Sequence, residues 1–69
     1  MLVNGFKDAL IDAQRCINLA PKFAKGYSRK ANALKGLQRW GHARQVYRQA
    51  LAMFPEDPGL LKGFGEMQT

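Results

Sequence analysis

Residues 24–55 read AKGYSRKANALKGLQRWGHARQVYRQALAMFP, and this stretch decides the fold of the 69-residue chain. Its apolar residues recur every three or four positions in two runs, as they do along one face of an α-helix. Gly36 and Gly41 bracket the break between the runs. Pro55 ends the second run, because proline lacks an amide N–H and disfavours helical geometry in the residue before it. The stretch therefore predicts two helices, over residues 23–37 and 40–54, joined by a short turn.

Each of these two predicted helices alternates small and large residues on one face. The first carries Phe23, Tyr27, Ala31 and Leu34, and the second carries Trp40, Ala43, Tyr47, Ala50 and Leu51. Alanine on one helix leaves room that an aromatic ring or a leucine on the other fills. The pattern predicts two closely packed antiparallel helices with these residues between them.

Further helices are predicted on both sides of this stretch. Residues 6–19 have apolar side chains at positions 6, 9, 10, 13, 16, 17 and 19, and Pro21 ends that run. Residues 59–67 carry another apolar set, with Asp57 as a candidate N-cap and Pro58 in the first helical position. Four helices are therefore expected.

The chain also repeats itself at a period of 34 residues, the length of a helix–turn–helix repeat. The pairs brought into register match in size or chemistry: Phe6 with Trp40, Ala9 with Ala43, Cys16 with Ala50, Ile17 with Leu51, Leu19 with Met53, and Pro21 with Pro55. On these residues the chain resembles the tetratricopeptide-repeat family, whose signature positions match Tyr27, Ala31, Leu34, Ala43, Tyr47, Ala50 and Pro55. It departs from the family at Gln38, where glycine is usual, and at Lys30, where leucine is common.

The resemblance implies an all-α fold of antiparallel helix hairpins in a right-handed superhelix, with about four helices in the order B–A–B–A. In a single unit over residues 1–69, residues 5–21 would be the second helix of one repeat, 22–55 a complete repeat, and 57–69 a following or capping helix. A repeat helix buries its apolar stripe against neighbours on both sides. Since the first helix lacks its repeat partner, we expect uncovered apolar surface and a chain that is marginally stable or self-associates.

The composition of the chain indicates which class of partner it binds and in which compartment it lies. Eleven lysines and arginines against five acidic residues give a net charge of +6, which favours acidic partners. The single cysteine, Cys16, excludes an internal disulfide and indicates a reducing compartment, so the cytoplasm, and also the nucleus, is expected. No apolar run approaches the roughly 20 residues that cross a bilayer, and residues 1–4 are too short for the apolar region of a signal peptide.

A basic stripe provides the candidate binding site. Lys22, Lys25, Arg29 and Asn32 fall three or four positions apart. The string KGYSRKA at residues 25–31 is similar to the third repeat of co-chaperone tetratricopeptide domains of the Hop type, and LKGFGEM at 61–67 to the segment that follows it. Those domains hold the C-terminal Glu-Glu-Val-Asp tails of cytosolic heat-shock chaperones in a carboxylate clamp. The resemblance implies that Lys25 and Arg29 form half of such a clamp, with Lys22, Ser28 and Asn32 as additional groove residues.

The chemistry of Lys25 and Arg29 suits a carboxylate ligand. Arginine offers a planar fork for two hydrogen bonds, and lysine adds a compact charge from the adjacent helical turn. Gly26 and Ser28 are expected to leave the approach uncrowded. The family clamp also draws a lysine and asparagines from two preceding first helices, so we expect these 69 residues alone to bind weakly or not at all. The alternative is that the Lys/Arg pair is an ordinary solvated helix face.

Two further functions stay open: a segment used only for assembly of a larger protein, and a binder of nucleic acid or anionic surfaces. The second would use the diffuse basic set of Lys30, Lys35, Arg39, Arg44 and Arg48. Cys16 is expected to be a buried, inert thiol, and His42 lacks partners at metal-ligand spacing. Asp8 and Asp12 are expected to stabilise the N-terminal dipole of their helix. Because no nucleophile–base pattern, phosphate loop or dinucleotide fingerprint occurs, we expect no enzymatic activity, no metal and no cofactor.

Overall fold

The computed structural model describes residues 5–67, which form four α-helices. They are α1 (Gly5–Leu19), α2 (Ala24–Gly36), α3 (Trp40–Met53) and α4 (Pro58–Glu66). Residues 5–67 contain no β-strand, and the predicted all-α fold of antiparallel hairpins is confirmed. Each helix bound differs from its prediction by one residue at most. Residues 1–4, on which the signal-peptide argument rests, and residues 68–69 of the predicted capping segment lie outside the described residues.

The start of α4 follows the sequence prediction closely. The Asp57 carboxylate accepts a hydrogen bond from the backbone N–H of Leu60 at 3.0 Å, and Pro58 is the first helical residue. This arrangement satisfies one of the N–H groups that a helix leaves without a partner at its start, and proline has no N–H to satisfy there. Asp57 therefore fixes where α4 begins.

The turn between α2 and α3 contains a residue in the left-handed region, Gln38, with φ +62°. Around it the N–H of Arg39 donates to the Leu34 carbonyl at 2.8 Å, and the N–H of Gln38 donates to the Lys35 carbonyl at 2.9 Å. These bonds close the end of α2. The left-handed region favours glycine, which is the residue that the family usually has at this position.

The core lies where α2, α3 and α4 meet. Its buried members are Ala31, Leu34, Ala43, Val46, Tyr47, Ala50 and Leu60. Three of them, the predicted small positions Ala31, Ala43 and Ala50, are fully buried. Tyr27 packs against this cluster from the side, and its hydroxyl donates to the Pro21 carbonyl at 3.1 Å. The predicted packing of the alanines with Tyr27 and Tyr47 is confirmed.

Two glycines allow α1 to approach α2. A Cβ on Gly26 would lie 3.0 Å from Cγ1 of Ile17, and one on Gly36 would overlap the ring of Phe6. Both glycines therefore serve the α1–α2 contact. Along α1 the buried side chain is Ala13, and apolar surface stays uncovered, since Phe6 is 53%, Ile11 60% and Leu19 79% exposed. The expected uncovered face of the first helix is confirmed.

Four details of the predicted packing are wrong. Phe23 is 68% exposed because it precedes the first residue of α2, in the turn after α1 has ended. Trp40 is 53% exposed because it begins α3 beside the turn, where α2 has already stopped at Gly36. Cys16 is half-buried, not buried, since within residues 5–67 α1 packs on α2 alone. Asp8 lies in the first turn of α1 as expected, but Asp12 lies beyond it.

Candidate functional site

Lys25 and Arg29 lie one turn apart on α2, and both side chains are exposed. Neither makes a hydrogen bond or an ion pair with another residue between 5 and 67. Side chains four residues apart on a helix are neighbours, so two cationic groups face the same side of α2. They are available to an anion from outside the chain.

An apolar pocket of about 240 Å³ adjoins this cation pair. Cys16 and Leu19 line it from α1, Ala20 and Phe23 from the turn, and Gly26 from α2. Lys25 and Arg29 complete its lining as the charged members. The arrangement can therefore take an apolar side chain beside a carboxylate.

Sequence reasoning missed the apolar half of this site. It placed Phe23 in the core, although the position of Phe23 directly after the Pro21 break was a sign that it precedes the helix. Leu19 and Phe23 are the most exposed large apolar residues of the described chain, at 79% and 68%. The side chains of Leu19 and Phe23 form the apolar wall of the pocket next to Lys25.

The structure changes the roles predicted for three neighbours of the cation pair. Lys22 lies in the turn before α2, so it does not continue the helical stripe. Gly26 is buried against Ile17 and serves helix packing, not ligand access. Ser28 is half-buried on the side of α2 that faces α4, where a Cβ on Gly59 would lie 3.9 Å from its Oγ. The candidate site on α2 thus contains fewer residues than the predicted stripe.

Asn32 lies on α2 beyond Arg29 and is exposed. Its side-chain oxygen accepts a hydrogen bond from the Tyr47 hydroxyl at 3.4 Å, so part of the amide already serves the core. Asn32 and Arg29 also line a second pocket of about 320 Å³, which faces α1 and contains the carboxylate of Asp12. Arg29 therefore lies between two pockets, one apolar and one with an acidic residue.

The diffuse basic set does not form one surface. Lys35 pairs with Glu66 at 3.4 Å and lies 5.9 Å from the centre of the Tyr47 ring. Lys30 points to α1, where its ammonium donates to the side-chain oxygen of Gln14 at 2.7 Å. Arg44 and Arg48 lie on the outer side of α3. Lys30 and Lys35 thus point to different helices, whereas Arg44 and Arg48 share the outer side of α3.

Between residues 5 and 67, no three side chains of the histidine, cysteine, aspartate or glutamate type are placed to hold a metal ion. No helix in the same part of the chain is long and apolar enough to span a bilayer.

The family description "Tetratricopeptide repeat" matches residues 24–67, from the first residue of α2 to the end of α4 and one residue beyond. The chain belongs to the tetratricopeptide-repeat family. The matched range covers α2, α3 and α4, and all the buried residues of the core cluster lie within it.

Several curated proteins are similar to this tetratricopeptide-repeat chain. The "Hsp70-Hsp90 organizing protein" of Triticum aestivum is 38% identical over 64 residues, which are 93% of this chain and 11% of that protein. The "Heat shock protein sti1 homolog" of Schizosaccharomyces pombe is 40% identical over 64 residues, with the same two shares. The "Hsp70-Hsp90 organizing protein 2" of Arabidopsis thaliana is 34% identical over 61 residues, 88% of this chain and 11% of that protein. The chain thus spans about a tenth of the length of these relatives.

Proposed function

We propose that this chain is part of a co-chaperone scaffold that binds the acidic C-terminal tail of a heat-shock chaperone through Lys25 and Arg29. The observation that carries the proposal is the cation pair itself. Both groups are exposed, neither has a partner within residues 5–67, and both line the apolar pocket that contains Leu19 and Phe23.

A C-terminal peptide offers chemistry that matches this pair. A terminal carboxylate accepts two hydrogen bonds from the planar guanidinium of Arg29, and the ammonium of Lys25 adds a second charge one turn away. An apolar side chain next to that carboxylate fits the pocket beside Phe23. The net charge of +6 attracts an acidic segment before contact.

The names of the relatives support a chaperone as the partner. Two of them are named as organizing proteins of Hsp70 and Hsp90. We carry this partner class over to the present chain as part of the proposal, together with the division into the second helix of one repeat at 5–21, a complete repeat at 22–55 and a capping helix at 57–69.

The nucleic-acid alternative receives less support from the side chains. A polyanion binder needs its cations on one continuous surface, because the affinity comes from many phosphate contacts. Here Lys30 and Lys35 are held by Gln14 and Glu66 on opposite sides of α2. No contact within the described residues favours the third alternative, a segment used for assembly only.

The proposal is tested by titrating the 69-residue chain with a peptide that ends in Glu-Glu-Val-Asp and following backbone amide resonances by NMR. Half a clamp is expected to bind with a Kd of about 1 mM, which this method measures. Lys25→Ala and Arg29→Ala should each weaken binding about tenfold, because a hydrogen bond to a charged group is lost. Lys62→Ala is the matched control, since it removes an exposed cation from α4 and should leave the titration unchanged.

Shifts confined to the amides of α2 and the end of α1, and lost in the two α2 variants, would support the proposal. A titration that Lys62→Ala weakens as much as Arg29→Ala would contradict it, because the binding would then be a general response to charge. Absence of any shift at millimolar peptide would contradict it as well.

A further inference from the structure

A second groove lies between α1 and α3, away from Lys25 and Arg29. In the described part of the chain both helices pack on α2 but not on each other, so α2 forms the floor of a cleft of about 420 Å³. The α1 wall consists of Leu10, Ile11 and Gln14, the α3 wall of His42, Gln45, Val46 and Gln49, and the floor of Lys30 and Leu34. The α3 wall extends over two helical turns, a length of about 10 Å.

The floor of this cleft contains a cation without an anionic partner. Lys30 is half-buried, and its ammonium donates to the neutral side-chain oxygen of Gln14 at 2.7 Å. The amide nitrogen of Gln14 is itself engaged by Asn18 at 3.1 Å, which turns the oxygen toward Lys30. Lys30 forms no ion pair within residues 5–67, whereas the equally half-buried Lys35 is paired with Glu66.

An ammonium group in a largely apolar cleft is stabilised most by a carboxylate, because burial penalises a charge that is not paired. The residues that line the cleft include no aspartate or glutamate. A carboxylate that pairs with Lys30 in this cleft must therefore come from outside the described residues.

The rim of the cleft on α3 is positively charged, like Lys30 on its floor. Gln45 and Gln49, which form part of the α3 wall, also border a shallow depression that contains Arg44 and Arg48. The two arginines are four residues apart and exposed, so they face the same side of α3. On the opposite wall, Ile11 is 60% exposed and offers apolar surface. Cationic and apolar surfaces thus run side by side along the groove.

We propose that the cleft between α1 and α3 docks an amphipathic acidic α-helix of a partner protein. Apolar side chains at helical spacing would fill the space between Ile11 and Val46, as in other helix-in-groove complexes. One carboxylate of the helix would pair with Lys30 on the floor, and others would reach Arg44 and Arg48 on the rim. The cleft shares no lining residue with the pocket beside Lys25, so the two sites are independent.

The test uses a synthetic peptide of about 16 residues, a length at which a helix can form in water, with leucine at every third or fourth position and glutamate on the flanks. Its termini are acetylated and amidated, which removes the free carboxylate that the site at Lys25 would recognise. Binding to the 69-residue chain is followed by fluorescence anisotropy. A peptide of the same composition in scrambled order is the control for shape, and a single-stranded oligonucleotide is the control for general charge.

Lys30→Met keeps the length of the side chain and removes the charge, so it should weaken binding about tenfold. Ile11→Ser, at an exposed position, should weaken binding through lost apolar contact, and circular dichroism of both variants should show unchanged helix content. Arg29→Ala should have no effect, so failure of this proposal would be distinct from failure of the carboxylate clamp. Equal binding of the scrambled peptide, tighter binding of the oligonucleotide, or indifference to Lys30→Met would overturn the proposal.

Discussion

Gln38 is a single residue whose backbone conformation lowers the stability of the fold. It adopts φ +62° in the turn between α2 and α3, and its side chain is exposed. A side chain in the left-handed region brings Cβ close to the following carbonyl oxygen, at a cost of about 1–2 kcal/mol. Nothing in the described contacts of Gln38 offsets that cost, because its backbone N–H bond to Lys35 would form equally well with glycine.

Gln38→Gly should therefore raise the free energy of unfolding by about 1 kcal/mol, after part of the gain is lost to the greater freedom of glycine in the unfolded chain. In a domain of this size the midpoint of thermal unfolding would rise by about 4–8 °C. Gln38→Ala is the control, since alanine meets the same steric conflict and should give no such increase. An equal rise in both variants would show that the left-handed geometry is not the source of the strain.

At the scale of elements, the contact between α3 and α4 depends on one glycine. Tyr47 is 1% exposed and lies directly beneath Gly63, where a Cβ would overlap its hydroxyl and ring. Gly65, two residues further along α4, has open space around it. Both glycines look alike in the sequence, as residues of low helix propensity, but only Gly63 is required by packing.

Gly63→Ala should destabilise the chain by about 1–3 kcal/mol, because the enclosed Tyr47 cannot move aside without opening the core. Gly65→Ala should stabilise it by up to about 1 kcal/mol, the difference in helix propensity between the two residues. Urea unfolding of the two variants, compared with the parent chain, measures both effects. Changes of the same sign would contradict the assignment of Gly63 to the α3–α4 contact.

The elements were largely predictable from the sequence, whereas the contacts between them were not. Pro21 and Pro58 limit the helices through local geometry, so the helix bounds could be read from the residues themselves. The exposure of Phe23 and Trp40 depends on where neighbouring helices stop, which hydrophobic periodicity does not contain. The direction of Lys30 toward Gln14, not toward solvent, is likewise a property of the α1–α2 packing.

On the scale of the whole molecule, the two most exposed large apolar residues of the described chain lie in one place. Leu19 and Phe23, 79% and 68% exposed, line the same pocket at the end of α1 and the turn before α2. Solvent-exposed patches of this kind on small proteins mark sites of association. The same region contains Lys25 and Arg29, so the surface available for self-association and the proposed ligand site overlap.

The 69-residue chain should therefore self-associate, with a melting temperature that rises with protein concentration. Leu19→Ser, at a position that is 79% exposed, should reduce association without loss of helix content. Leu61→Ser, which removes a leucine that is 49% exposed on α4, is the control and should have a smaller effect. Sedimentation equilibrium measures both; a parent chain that stays monomeric at all concentrations would contradict the prediction.

Lys25 and Arg29 are proposed to recognise a free terminal carboxylate, and the binding of two peptides tests this recognition. Both peptides end in Glu-Glu-Val-Asp, and they differ only in whether the C-terminus is a free acid or an amide. Amidation should weaken binding to the 69-residue chain about tenfold, since one charge-assisted contact is removed. Equal affinity of the two peptides would contradict it.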